Sequence, residues 1–208
     1  MQTFLAQEAE LPSNAIVFIG SSSIVRWTTL ADDMAPLTTI NRGFGGSTLQ
    51  DAIYWLDTLI PQAKPRAFVL YEGDNDIGAE QATAEQVAAG FKTLVARIQH
   101  RFPAARIYVL AIKPSVLRRN LWPEMERANQ LLSSLCEQKP QLHFIDVASP
   151  MLAQNGQLKP GLFVADGVHM SAAGYAIWTA ALKPILLASE QQHEYALGAQ
   201  RDHPAAQR

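Results

Sequence analysis

The sequence predicts an α/β domain with a parallel β-sheet that is covered by helices on both faces. Five short apolar runs, rich in branched and aromatic residues, are typical of buried strands. Segments with apolar residues at helical spacing lie between these runs, and such alternation favours parallel pairing. The length of 208 residues suits one domain, and no internal repeat or composition shift indicates a second.

The predicted elements alternate along the chain. The strands are Ala15–Ile19, Leu37–Asn41, Ala67–Tyr71, Ile107–Ile112 and Leu142–Val147. The main helices are Thr48–Leu59, Thr83–Phe102, Met125–Cys136 and Ala172–Leu187. We expect residues 1–190 to form the domain. The apolar period is lost from about Gln191, so residues 191–208 are predicted to be a weakly ordered tail.

Composition excludes several classes of protein. A formal net charge of -2 gives no electrostatic footprint for nucleic acid or an anionic membrane. The single cysteine, Cys136, lies in an apolar pattern that predicts a core thiol, and no Cys/His pair has zinc-ligand spacing. The N-terminus lacks a basic region followed by an apolar block, and no apolar run approaches the length of a membrane span. We therefore expect a cytoplasmic protein.

The first predicted strand ends at Gly20 and is followed by Ser21, Ser22 and Ser23. Glycine permits a sharp turn, and a serine there can start a helix. Such a junction holds a side-chain oxygen at the sheet edge beside free backbone N–H groups, which suits a nucleophile that leaves an oxyanion. A plain helix cap or a phosphate cradle would use the same residues.

Two further strand ends carry polar or glycine-rich loops. Gly43-Phe44-Gly45-Gly46-Ser47 follows the second strand, and Gly46 can direct an N–H at a ligand. Glu72-Gly73-Asp74-Asn75-Asp76 follows the third strand, where the amide of Asn75 can donate to an oxyanion without titrating. A plain glycine turn and a metal site on the two aspartates are the alternatives.

A loop after the fifth strand contains Asp166-Gly167-Val168-His169. A carboxylate three residues before a histidine can hold the imidazole tautomer and stabilise the imidazolium. A turn aspartate beside a surface histidine would have the same sequence. Ligands of open parallel sheets bind at the carboxyl ends of the strands, so these loops are predicted to meet.

The four segments together resemble the four blocks of the SGNH (GDSL) hydrolase family, in the same chain order. The resemblance spans roughly residues 16–175. It implies a flavodoxin-like three-layer α/β/α sandwich with a five-stranded parallel sheet. It also implies a serine hydrolase that cleaves carboxylic esters of small molecules without a metal or organic cofactor. Acetyl and other short acyl esters, lysophospholipids and thioesters lie within the family's range.

Carried over by position, the resemblance makes Ser22 the nucleophile, His169 the general acid/base and Asp166 the residue that orients His169. The N–H groups of Ser22 and Gly46 and the side chain of Asn75 would form the oxyanion hole. Ser21 stands where much of the family has aspartate, and Ser21 or Ser23 as nucleophile stays an alternative.

Two other classes of protein remain open on sequence. A flavodoxin-like protein binding a flavin or phosphate would use the serine-rich loop. A metal-dependent phosphoesterase would use four ligands, which are Asp74, Asp76, Asp166 and His169. The loop after the fourth strand, with Arg118, Arg119 and Trp122, could form a lid, bind an anionic substrate group or lie in solvent.

Overall fold

A five-stranded parallel sheet forms the centre of the molecule. The computed structural model describes residues 12–60 and 64–201. The strands are β1 (Ile16–Gly20), β2 (Thr39–Asn41), β3 (Ala67–Tyr71), β4 (Arg106–Leu110) and β5 (Leu142–Ile145). They lie in the order β2-β1-β3-β4-β5, and every neighbouring pair is parallel. The predicted parallel sheet is confirmed, and the strand bounds differ from prediction by at most two residues.

Helices cover both faces of the sheet and complete the three-layer sandwich. They are α1 (Ser22–Val25), α2 (Leu30–Met34), α3 (Leu49–Leu59), α4 (Asp74–Gly78), α5 (Ala84–Arg101), α6 (Trp122–Glu137) and α7 (Ala172–Arg201). Helices α3, α5 and α6 bury their apolar residues against one face. Helices α2 and α7 do so against the other. Short 3₁₀ turns span Arg119–Leu121 and Ser149–Met151.

Strand residues alternate between the two cores because successive side chains of a strand point to opposite faces. Val17 and Ile19 of β1 pack with the first set of helices, whereas Ile16 and Phe18 pack with α7. All five residues of β1 are buried. This double burial explains why β1 is a continuous apolar run in the sequence.

Helix α7 is longer than its apolar period predicts, because it continues through Gln191 to Arg201. Beyond the predicted start of the tail, the Glu194 carboxylate accepts the backbone N–H of Thr38 at 2.6 Å and pairs with Arg66. The spacing of apolar residues cannot predict polar contacts of this kind. Residues 202–208, the rest of the predicted tail, lie outside the described residues.

The segment Ala172–Glu194 of α7 is long and apolar enough to cross a membrane by length and composition alone. The sequence analysis found no apolar run of this length, because the charged residues Lys183 and Glu190 interrupt the apolar residues. In the fold, Trp178 and Leu182 are fully buried against the sheet. These residues belong to the buried side of α7, and 28% of the apolar stretch is buried in the fold.

A buried ionic cluster fastens α7 to the edge of the sheet where the strands begin. Glu190 is completely buried and accepts hydrogen bonds from Arg66 at 3.1 Å, from Arg106 at 2.8 Å and from the Tyr108 hydroxyl at 2.7 Å. These contacts hold the pKa of Glu190 below its ordinary value although burial opposes the shift. The cluster lies at the opposite edge from the loops discussed above.

We expect Glu190→Ala to destabilise the fold by about 3–5 kcal/mol, because it removes the buried carboxylate that Arg66 and Arg106 share and leaves the Nε of Arg66 unpaired. Urea unfolding measures the change. The matched control is Glu85→Ala, which breaks the exposed pair with Arg127 and should leave the midpoint almost unchanged. Equal effects of the two variants would contradict the role of the cluster.

Candidate active site

Loops that follow the first three strands meet at the carboxyl edge of the sheet. Ser22 begins α1, two residues after the end of β1. The N–H of Ser21 donates to the Tyr71 carbonyl at 3.3 Å, and that of Phe44 donates to the Gly20 carbonyl at 2.9 Å. A Cβ on Gly20 would lie 2.5 Å from the Tyr71 oxygen, so this close approach requires glycine.

The short helix α1 is held from two sides, which fixes the position of Ser22. The Tyr175 hydroxyl of α7 donates to the Ser23 carbonyl at 2.9 Å. The Asn41 amide, at the end of β2, donates to the Ile24 carbonyl at 2.6 Å. Neither contact involves the Ser22 hydroxyl, which therefore remains available to another group.

Ser22, His169 and Asp166 form a continuous hydrogen-bonded chain. The Ser22 Oγ lies 3.0 Å from His169 Nε2, and His169 Nδ1 lies 2.6 Å from Asp166 Oδ2. The backbone N–H of His169, its side chain and the N–H of Val168 hold the pKa of Asp166 well below its ordinary value. An ionised carboxylate only accepts, so Nδ1 carries the imidazole proton and Nε2 is left to accept from Ser22.

The loop that carries His169 is fixed by its own backbone and by the segment after β4. Asp166 Oδ1 accepts the N–H groups of Val168 and His169, each at 2.9 Å. The Leu117 N–H donates to the Gly167 carbonyl at 3.0 Å. Gly167 has a φ of +68° and packs against Val116, so its backbone favours glycine at this contact.

The other predicted site residues lie at the same sheet edge, Gly46 in the loop after β2 and Asn75 in the short helix α4. Gly46 is exposed with a φ of +78°, and its N–H makes no hydrogen bond within the described residues. The Asn75 amide donates to the carbonyl of Ser47 at 2.9 Å, which joins α4 to the loop of Gly46. Their predicted role, with the Ser22 N–H, is to bind an oxyanion.

The two aspartates beside Asn75 have other partners. Asp74 pairs with Lys113 at 2.6 Å and with Arg118, and both cations outweigh burial to hold its pKa below the ordinary value. Asp76 accepts the backbone N–H of Leu49 at 3.0 Å, at the start of α3. Within residues 12–60 and 64–201, no group of three or more His, Cys, Asp or Glu side chains could hold a metal.

Glu72 is a buried neighbour of the site that the sequence did not single out. The Ser47 hydroxyl donates to its Oε1 at 2.6 Å, and the side chain is only 1% exposed. Burial raises the pKa of Glu72 well above its ordinary value of 4.5, and the charge of Asp76 adds to the shift. From sequence alone, a glutamate at the end of a strand is expected to lie in solvent.

The raised pKa makes a prediction for stability. The folded state binds the Glu72 proton more tightly than the unfolded state, so this group favours folding most below pH 4.5 and less as pH rises towards the folded pKa. Glu72→Gln, a mimic of the protonated form, should therefore gain Tm relative to wild type as pH increases from 4.5 to 8. Scans across this range measure it, with exposed Glu80→Gln as the control. A difference that is independent of pH would contradict the prediction.

Apolar side chains surround the loop of His169 on the protein surface. Val116, Leu117 and Val164 are exposed although they are large and apolar. Val116 also lines a cavity of about 390 Å³ together with Trp122, Leu152 and Leu158. Trp27, by contrast, is buried in the core beside Tyr175 and Trp178.

Comparisons with known proteins agree with this architecture. Residues 19–177 match the model of the GDSL-like lipase/acylhydrolase family. The chain is 31% identical over 180 residues to the platelet-activating factor acetylhydrolase IB subunit alpha1 of Pongo abelii, a match that covers 83% of this chain and 75% of that protein. A GDSL-like lipase from Bacteroides thetaiotaomicron superposes with a TM-score of 0.72 at 19% identity, over 89% of this chain and 94% of that one. An acetyl-xylooligosaccharide esterase of Geobacillus gives 0.64 at 20% identity, over 82% and 93%.

Proposed function

The chain belongs to the GDSL-like lipase/acylhydrolase family and is a carboxylic ester hydrolase, and from this premise we propose that it cleaves short-chain acyl esters with Ser22, His169 and Asp166. The observation that carries the proposal is the continuous hydrogen-bonded chain from Asp166 through His169 to the Ser22 hydroxyl. It gives each of the three residues the partner that its role in acyl transfer requires.

In the acylation step, Ser22 Oγ attacks the ester carbonyl carbon while His169 Nε2 takes the hydroxyl proton. The N–H groups of Ser22 and Gly46 and the amide of Asn75 stabilise the negative oxygen of the tetrahedral intermediate. The carbon–oxygen bond to the alcohol then breaks, and His169 returns the proton to that alcohol. Asp166 stabilises the imidazolium throughout, without itself becoming protonated.

Water completes the cycle. His169 removes a proton from water, the hydroxide attacks the acyl carbon on Ser22, and the carbonyl reforms as Ser22 Oγ leaves with a proton from His169. One ester and one water give one carboxylic acid and one alcohol. Every proton transfer is made by His169, so the chemistry uses groups that this chain itself supplies.

Esters of short acyl groups are the proposed substrate class, because the names of a relative and of a structural neighbour describe hydrolysis of acetyl groups. They include the acetylhydrolase subunit and the acetyl-xylooligosaccharide esterase. The exposed apolar residues around His169 and the cavity lined by Val116 support binding of an apolar part of the ester. Lysophospholipids and thioesters present an acyl group to the same nucleophile and are outcomes to be compared.

The test combines turnover with covalent labelling. We expect hydrolysis of p-nitrophenyl acetate to exceed that of the octanoate in kcat/KM, and a fluorophosphonate to modify the peptide that contains Ser22 in a ratio of one per chain. Activity should persist in a chelator, and the purified protein should be colourless. Labelling of a different residue would contradict the assigned nucleophile, and a bound yellow flavin would favour the flavodoxin-like alternative.

A further inference from the structure

Arg118 lies in the loop after β4, where the sequence suggested a contact with substrate or solvent, but its side chain turns into the protein. The side chain is 16% exposed. Its guanidinium donates to the Asp74 carbonyl at 2.7 Å, to the Asp74 carboxylate, and to the Oδ1 of Asn75 at 3.0 Å. A single cation thus contacts the side chain that is proposed to bind the oxyanion.

The contact with Arg118 fixes the orientation of the Asn75 amide, that is, the directions of its oxygen and its nitrogen. A guanidinium has only donors, so the atom that meets it must be the carbonyl oxygen. The amide nitrogen therefore points to the Ser47 carbonyl, 2.9 Å away. One of its two N–H bonds is used there, and the second is left for a ligand. A flipped amide would present an oxygen to the developing oxyanion and repel it.

The guanidinium is itself held in a fixed place. Asp74 is buried and also accepts from Lys113 at 2.6 Å and from the Tyr71 hydroxyl at 3.1 Å, so its position does not depend on Arg118 alone. Gly78 provides the space for the guanidinium, because a Cβ there would lie 2.4 Å from the Arg118 Cζ. A solvated arginine would need neither the contact with Asp74 nor the space at Gly78.

We propose that Arg118 is a positioning residue that acts through Asn75: it holds the amide with its N–H towards the oxyanion and, by polarising the amide, strengthens that donor. The proposal rests on the proposed function, in which Asn75 is an oxyanion donor. Arg118 meets no substrate atom in this scheme. Its effect belongs to the transition state and should therefore appear in kcat rather than in KM.

The test is a double-mutant cycle on p-nitrophenyl acetate. Arg118→Met should lower kcat by about 10- to 30-fold, a part of the 10²- to 10³-fold loss that follows removal of an oxyanion donor, and should change KM by less than about twofold. In an Asn75→Ala background, the same change should lower kcat by less than about twofold, because the group it positions is absent. A merely structural role would give the same loss in both backgrounds.

Two further variants complete the experiment. Arg127→Met removes an exposed arginine that pairs with Glu85, a residue outside the proposed catalytic groups, and should leave kcat unchanged. Gly78→Ala displaces the guanidinium without removing its charge, should reproduce the kcat loss, and replaces Arg118→Met if that variant does not fold. An active wild type with an unaltered kcat in Arg118→Met, or with additive losses, would overturn the positioning role alone. A wild type without Ser22-dependent hydrolysis would overturn the proposed function and this inference with it.

Discussion

Ser22→Ala is expected to lower kcat for p-nitrophenyl acetate by about 10⁴-fold or more. Without the hydroxyl there is no acyl-enzyme, and His169 has no nucleophile to activate. The substitution removes one oxygen from a half-buried position, so the fold should be retained. Steady-state hydrolysis, corrected for the uncatalysed rate, measures the loss, and thermal unfolding checks the fold.

The neighbouring serines provide matched controls for this loss. Ser21 and Ser23 are buried, and neither hydroxyl contacts His169 among the described residues. We expect Ser21→Ala and Ser23→Ala to retain turnover within about threefold. A full loss in either of them together with an active Ser22→Ala would move the nucleophile to that serine and refute the assignment.

Asp166→Asn should lower kcat by about 10²- to 10⁴-fold while the protein stays folded. The asparagine oxygen can still accept the N–H groups of Val168 and His169, so the turn is preserved. Its amide, however, would donate to His169 Nδ1 and leave the proton on Nε2. That tautomer cannot accept from Ser22. Activity and circular dichroism measured side by side separate the two effects.

Asp146→Asn is the control, because Asp146 is an exposed aspartate that also accepts two backbone N–H groups in a turn, those of Ala148 and Ser149. It should leave kcat unchanged. An unchanged rate in Asp166→Asn as well would show that His169 does not need its carboxylate partner.

Local pattern was enough to predict the architecture. Burial on both faces makes β1 and β3 continuous apolar runs, and this is why Ala67–Tyr71 was predicted with its observed bounds. Helix α6 begins at Trp122 rather than at the predicted Met125, because Pro123 is well suited to the first turn of a helix. The apolar periodicity used for the prediction does not extend into this turn. The end of α7 was missed for a related reason, since polar contacts such as that of Glu194 hold it.

The residues of the hydrogen-bonded chain could be predicted from the sequence, but the neighbouring residues that contact the site could not. Ser22, Asp166 and His169 come from segments that sequence reasoning selected, and the fold brings them into one hydrogen-bonded chain, while their catalytic roles stay predictions. Arg118 and Glu72 could not be predicted, because a charged residue in a loop normally lies in solvent. Only the tertiary structure reveals that Glu72 is buried beside Ser47 and that the partly buried Arg118 contacts Asn75.

The three residues of the hydrogen-bonded chain belong to parts of the molecule that differ in their amount of regular secondary structure. Strand β1 lies inside the sheet, whereas residues 146–171 contain only one 3₁₀ turn and two isolated bridges among their regular elements. Amide hydrogen exchange in β1 should therefore require global unfolding, while amides near His169 exchange by local opening. Mild denaturant would then separate His169 from Ser22 before the sheet is lost, and the working lifetime of the enzyme would be set by this loop rather than by its core.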